Sequence, residues 1–339
     1  MERIFICKDI MDKIKEICSK YNLGKYISSE KITTGLTNIL YKVKTDIDTY
    51  VIKIINENNI KNKNNHLNNI EYSEEISNIL NNNGVNTIGA LRFNNKYIQK
   101  IDDVYFLIYK WSNGIVLKTC ELNIKHMEIL GTMLAKIHSI KVDKIDNTKY
   151  PKIDFMYYYN LVKDNNEKCY LFFKNNINKL AKIYEDVYNN YLLLGNQKSY
   201  VHKDFNRKNI LWEDDTPYII DFETATIGNP SIDFFNSAWF LTDDFDTKKF
   251  TSFANTYFNT MNLDDDFEIS ISAAIIEECN WLEYSLKRAL KMNTDNSYEI
   301  ELGKNSIESS LNEIINYYEK KDLALNILNE RVRKCQKKH

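Results

Sequence analysis

The sequence predicts an α+β fold of two lobes, a small β-rich one over residues 1–110 and a large helical one over 111–339. Three observations carry this. Two runs of β-branched and aromatic residues, Ile39–Val43 and Tyr50–Ile55, flank a polar, Asp-containing turn, as in an early hairpin. After Gly114 the apolar spacing becomes helical, with Met127, Leu130, Leu134 and Ile137 on one stripe. A single β-like island, at Tyr200–Trp212 and Tyr218–Phe222, interrupts the helical region.

Taken in order, Asp9–Tyr21 places Ile10, Ile14, Ile17 and Cys18 on one face, so an amphipathic helix opens the chain. Ser28–Ile55 reads as strands, followed by a loop rich in Asn and Lys. A helix is expected from about Ile70 to Asn82, with Ile76, Ile79 and Leu80 inward. Gly84 stands just past it, where a helix C-terminus favours a left-handed residue. Two more strands are expected at Leu91–Phe93 and Val104–Tyr109, and the extended residues Tyr109–Asn113 join the lobes. Helices then fill Tyr157–Leu194 and resume from Ser231 to the end, around the hairpin-like island.

Composition narrows the function classes. A length of 339 residues is enough for a core in each lobe, and 43% hydrophobic with 27% charged residues fits a soluble globular enzyme. A formal charge of -2 gives no global electrostatic case for nucleic acid or an anionic membrane as partner. No run of about 18 apolar residues is present to span a bilayer. The opening Met1–Asp9 lacks the order of a signal peptide, so a cytoplasmic protein is expected. The six cysteines are far apart and form no C-x-x-C, which reads as reduced, mostly buried thiols.

The island carries the chemistry. His202-Lys203-Asp204-Phe205-Asn206-Arg207-Lys208-Asn209 has the H-x-D-x-x-x-x-N form of a phosphoryl-transfer loop, and Tyr218–Asp221 is an apolar run ending in a second carboxylate. An Asp on a tight loop can accept a hydroxyl proton, which makes Asp204 the candidate base. Asn209, five residues on, reaches the opposite side of the loop to hold a metal ion, and Asp221 at a strand end holds metal bridging the phosphates. Negative charge and Mg²⁺ gathered around a transferring phosphoryl group supply positioning and electrostatic stabilisation.

Upstream, Lys53 is a charged residue in the otherwise apolar strand Val51–Ile55, and burying it demands an anionic partner. The candidates are nucleotide phosphates and a glutamate of the next helix, Glu74 first, then Glu71 or Glu75. Thr33–Asn38 precedes a strand where a phosphate-covering turn belongs. Thr34, Gly35 and Thr37 offer hydroxyl and backbone N–H groups for that task, with a plain hairpin turn as the alternative.

These motifs resemble a known family. His202…Asp204…Asn209, Ile220-Asp221-Phe222-Glu223 and Gly228-Asn229-Pro230-Ser231-Ile232-Asp233 are similar to the signature block of the aminoglycoside phosphotransferases, much of which the choline/ethanolamine kinases share. Gly131–His138 resembles that family's helix ahead of the catalytic loop, and Thr34–Asn38 with Tyr41-Lys42-Val43 looks more like the choline-kinase branch. The resemblance runs from Ile32 to Trp239. It implies a bilobal protein-kinase-like fold and a small-molecule kinase using ATP or GTP with Mg²⁺. Asp204 would then be catalytic, Asn209 and Asp221 would bind Mg²⁺, and Lys53 would contact phosphates. Leu107–Trp111, with Tyr109 and Trp111, would form the hinge that binds the base. His202 and Asp233 would support the loop. Two features depart from the family pattern: Lys203 replaces the small residue common before the catalytic Asp, and the chain ends in a basic tail.

Acceptor recognition falls to the helical remainder. Glu278, Trp281 and Tyr284 recur every three residues on one helix face, and a carboxylate beside aromatic rings suits a cationic small-molecule acceptor with a hydroxyl group. Asp243, Asp244, Asp246 and Asp264–Asp266 would add negative potential for such a cation; the alternative is core Trp and Tyr with solvated acids. A protein kinase would need an activation segment and an A-P-E element, and only eleven residues separate Asp221 from Asp233. A choline/ethanolamine-type kinase is the alternative within the class, and a nucleotide-binding pseudokinase the alternative outside it.

Overall fold

The computed structural model describes residues 2–32, 38–55, 63–142 and 149–336. By their internal contacts Met1–Ile115 and Leu211–Thr224 make one unit, and Val116–Ile210 with Ala225–His339 make another. The division is therefore not a single cut near residue 110. Ile115 bridges Trp212, and Ile219 exchanges backbone hydrogen bonds with Asn86 and Ile88, which ties the later hairpin to the first unit.

The first unit contains α1 (Glu2–Lys20), β1 (Tyr26–Ile32), β2 (Ile39–Thr45), β3 (Thr49–Ile54), α2 (Lys63–Asn82), β4 (Gln99–Ile101) and β5 (Val104–Lys110). The strands form one antiparallel sheet in the order β1-β2-β3-β5-β4. Alternation along the strands sorts side chains to two faces. Val43, Tyr50, Ile52, Phe106 and Ile108 pack on Ile14, Ile17 and Cys18 of α1. Ile55 and Leu107 point the other way and pack with Ile70 of α2, Ala90 and Tyr97. Lys53 shares the parity of Ile55, stands opposite Leu40 and Leu107 in register, and is buried.

α2 begins earlier than its apolar spacing suggests, because its first turn, Lys63–His66, is polar and carries no period to read. It ends where expected, with Gly84 at φ +77°. The strand expected at Leu91–Phe93 is instead a single bridge from Phe93 to Lys96. Asn94 and Asn95 adopt positive φ and turn the chain there, and the strand forms later as β4. β7 (Ile210–Glu213) and β8 (Thr216–Ile219) pair as a hairpin.

The second unit holds α3 (Ile124–Ser139), α4 (Phe155–Val162), α5 (Lys168–Leu193), β6 (Ser199–Val201), β9 (Thr226–Gly228), α6 (Pro230–Leu241), α7 (Thr247–Phe258), α8 (Phe267–Ala274), α9 (Ile276–Ala289) and α10 (Ser297–Gln336). The stripe Met127, Leu130, Leu134 and Ile137 of α3 is fully buried. Asn123 caps this helix by accepting from the His126 backbone, and α6 starts with Asn229 as cap and Pro230 in its first turn. Every residue of α6 except Phe240 is buried, with Phe234 at the centre of a ring cluster that includes Phe253, Tyr257 and Phe258. β6 pairs antiparallel with β9, Ser199 opposite Gly228. That pairing brings the end of β6, which runs into residue 202, beside the start of α6.

Gly131 lies where α3 meets α7, and a β-carbon there would run into the Phe253 carbonyl oxygen and the Thr256 hydroxyl. Because the nearest atom is backbone, Gly131→Ala should lower the stability of the helical unit by about 1–3 kcal/mol, read as a reduced thermal midpoint. An unchanged midpoint would contradict this packing.

Candidate active site

The loop after β6 is organised around one buried carboxylate. Asp233, in the first turn of α6, is 3% exposed. It accepts the backbone N–H of Lys203 at 2.8 Å and of His202 at 3.3 Å, and lies 3.0 Å from His138 Nε2. Nδ1 of His138 in turn meets the Tyr257 hydroxyl at 2.7 Å, and its carbonyl accepts the Ser199 hydroxyl. Burial alone would raise the Asp233 carboxyl; the His138 hydrogen bond, the nearby imidazoles and the Lys203 N–H outweigh it and hold the group below the ordinary range.

Anchored in this way, the loop presents Asp204, whose side chain remains 31% exposed. The Asn209 amide donates to the Asp204 carboxylate at 2.8 Å and to its carbonyl at 2.9 Å, and Asn206 donates to the other carboxylate oxygen. Lys208 is 3.0 Å away. Asn206 also caps the 3-10 turn Arg207–Asn209. Phe205 and His202 are buried beneath. The result is a partly exposed carboxylate with its orientation fixed from several sides, suited to accepting a proton from a positioned hydroxyl. Lys203, just before it, has φ +64°, in the left-handed region that costs a non-glycine residue about 1–2 kcal/mol.

In the first unit, Lys53 Nζ pairs with Asp221 at 2.9 Å and with Glu223 at 2.7 Å, and Asn38 also donates to Glu223. Burial would lower the Lys53 ammonium; the two carboxylates more than reverse that and hold it above its ordinary value. The expected pairing with a glutamate of α2 is not what the described residues show. Glu74 accepts from the Tyr109 hydroxyl at 2.6 Å and the Ala90 N–H at 2.8 Å. Burial raises its carboxyl, against those bonds and the nearby field of Lys53. Glu71 accepts the Tyr97 and Ile98 N–H groups, and Glu75 the Tyr97 hydroxyl. All three acids brace the chain around α2.

The sequence reading places Glu223 only in the motif around Asp221 and not as a partner of Lys53; it lies 170 positions from Lys53, and no local pattern joins them. Trp111 is partly buried, with Lys42 3.9 Å above its ring; its backbone N–H donates to the Thr49 carbonyl and its indole N–H to Asn113. β4 covers β5 only as far as Phe106, so Tyr109 and Trp111 lie beyond that pairing. Thr34, Gly35 and Thr37 lie outside the described residues.

On α9, Glu278 is partly buried while Trp281 and Tyr284 are exposed, their ring centroids 5.6 Å apart. Burial, with the charges of Glu313, Glu277 and Asp204, pushes the Glu278 carboxyl up to about 8. Glu313 accepts the indole N–H of Trp239, whose ring stacks on Tyr317 at 4.7 Å. The other acidic clusters are engaged within the helical unit, where Asp243 and Asp244 pair with Lys249 and Lys320. Asp246 and Asp266 cap α7 and α8, and Asp265 binds the Gly195 N–H, Asn229 and Ser231.

Asp221 and Glu223 supply carboxylate oxygens, the donor type that hard divalent cations take. In the other unit Asn209 turns its N–H₂ to Asp204. Two carboxylates face one ammonium in the Lys53 cluster.

Spectinomycin phosphotransferase APH(9)-Ia, solved with ADP and spectinomycin, is similar in structure, with a TM-score of 0.67 and 15% identity over 92% of this chain and 98% of that one. Ethanolamine kinase from Plasmodium vivax gives 0.56 and 18% over 84% and 81%. Choline kinase LicA from Streptococcus pneumoniae gives 0.57 and 17% over 90% and 99%. The fold is thus the protein-kinase-like one, with a β-rich amino-terminal part and a helical carboxy-terminal part. A family model described as "Phosphotransferase enzyme family" (APH) matches residues 29–266, and the chain belongs to that family. No curated protein sequence matches significantly.

The Glu278 carboxyl titrates near 8 in the folded chain and near 4.3 in an unfolded one. Between those values the folded state holds the extra proton, so stability falls as pH rises through the window. Glu278→Gln should remove this slope. Its thermal midpoint should match wild type near pH 4 and exceed it by a growing margin up to about pH 8. Parallel profiles across that range would refute the assigned environment.

Proposed function

We propose that this protein is a small-molecule kinase that transfers the γ-phosphate of ATP or GTP, with Mg²⁺, to a hydroxyl of a small cationic acceptor. Nucleotide binding is assigned to the amino-terminal unit and acceptor binding to the helical one. The observation that carries this reading is Asp204, a carboxylate oriented by Asn209 and Asn206 on a loop anchored to buried Asp233.

In this reading Asp204 accepts the acceptor's hydroxyl proton as the oxygen attacks the γ-phosphorus and the bond to the leaving diphosphate breaks. Lys53 binds phosphate oxygens, with Asp221 and Glu223 orienting its ammonium. Asp221 and Asn209 are the residues that would hold Mg²⁺, which supplies positive charge against the phosphate oxygens. The backbone of Leu107–Trp111 meets the base, and Thr34, Gly35 and Thr37 the phosphates. Glu278, with Trp281 and Tyr284 on the same face of α9, receives the acceptor's cationic group. That combination keeps a choline/ethanolamine-type acceptor beside the aminoglycosides. Among the described residues no helix is long and apolar enough to cross a membrane.

The test is Mg²⁺-dependent release of nucleoside diphosphate from ATP and from GTP across aminoglycosides, choline, ethanolamine and amino sugars. Asp204→Ala should lower acceptor-stimulated transfer by about 10²–10⁴ while nucleotide still binds. Asp221→Ala should also abolish Mg²⁺-dependent nucleotide binding. Equal activity in both variants and wild type would overturn the assignment. Nucleotide binding without stimulation by any acceptor would favour the non-catalytic alternative.

A further inference from the structure

The residue before Asp204 does more than connect. Lys203 holds a backbone conformation that glycine adopts freely, and its side chain is partly buried. The ammonium donates to the Tyr150 hydroxyl and lies 3.3 Å from Glu277 of α9, with its charge 5.0 Å from the Tyr150 ring. Tyr150 donates onward to Glu277 at 2.6 Å. Tyr150 is itself fixed, because its backbone N–H is held by the Tyr191 hydroxyl of α5 at 2.9 Å. Ammonium, phenol and carboxylate thus close a three-membered hydrogen-bonded cluster, drawn from the loop, the segment before α4, and α9. The other end of Lys203, its backbone N–H, is the group that Asp233 accepts at 2.8 Å.

We propose that Lys203 is a positioning residue, tying the Asp204 loop through Tyr150 and Glu277 to α9, the helix assigned to the acceptor. This rests on the small-molecule kinase reading. Asp233 fixes the loop from α6 through the backbone N–H groups of His202 and Lys203 only. The side-chain tether supplies a second fixed point on the opposite side, so that the Asp204 carboxylate keeps one distance from whatever α9 holds. Glu277 is the immediate neighbour of Glu278 on that helix, so the element that meets the acceptor also holds the loop. The left-handed backbone at a lysine is the local cost of placing a long side chain where it reaches both partners.

Two measurements on the full-length protein test this. Hydrogen exchange of the peptide spanning residues 200–206 reads the loop directly and needs no acceptor. Lys203→Met, Glu277→Gln and Tyr150→Phe should each accelerate it about tenfold, as expected when a local contact is lost. The second measurement is steady-state phosphoryl transfer. The same variants should lose about 10–100-fold in kcat, with KM for the nucleotide within about twofold of wild type, as for a misplaced catalytic group. Lys203→Gly separates tether from strain, because it relaxes the backbone and removes the side chain together. It should lose kcat like Lys203→Met, whereas Lys203→Arg should recover most of it.

Lys203→Gly with wild-type kcat would overturn the proposal, as would unchanged exchange in Glu277→Gln and Tyr150→Phe. A wild-type protein that transfers no phosphate to any acceptor would instead defeat the kinase reading, and the exchange result alone would then decide whether the tether holds the loop.

Discussion

An ionised carboxylate is stable inside a protein only when its oxygens are supplied with donors, and leaving one unpaired there costs several kcal/mol. Asp233 is such a group, and its donors come from places far apart in the chain. α3 must bring His138, β6 must end where the His202 and Lys203 amides point inward, and α6 must start where it does. Tyr257 of α7 then completes the second side of the His138 ring. None of these parts can be displaced alone without stranding a buried polar atom. The rigidity of the loop that carries Asp204 follows from that shared requirement more than from the loop's own sequence.

What was legible in the sequence was what is local. The period of α3, the hairpin of β2 and β3, the left-handed residue after α2, and the block from His202 to Asp233 all depend on residues close together in the chain. The same locality explains why the family could be read from that block. The strand assigned to Leu91–Phe93 failed because two asparagines in left-handed conformations override β propensity. The partners of Lys53 were not legible: the nearest acids by sequence lie on α2, but the backbone around Ala90 and Tyr97 engages them. Asp221, 168 positions away, pairs with the lysine instead. The Lys203 cluster was hidden for the same reason, since Tyr150 and Glu277 approach it only through tertiary packing.

The acidic residues divide by what they touch. Those at helix starts are committed to backbone N–H groups, where a carboxylate meets the positive end of the helix dipole. Glu277, Glu278 and Glu313 instead lie among side chains, and Glu278 is held near neutrality by burial and by like charges. Counting acids along the sequence cannot separate these groups, since charge at a cap is already compensated where it stands.

The assignment of Leu211–Thr224 to the first unit has a topological consequence. The polypeptide passes from one unit to the other three times, after Ile115, after Ile210 and after Thr224. A gene fragment ending near residue 115 would encode the sheet and both its helices yet omit the hairpin and the two carboxylates that neutralise Lys53, leaving a buried ammonium without counter-ions. The halves of this fold are therefore not exchangeable cassettes: recombination between relatives preserves the amino-terminal unit only if the short later segment travels with it.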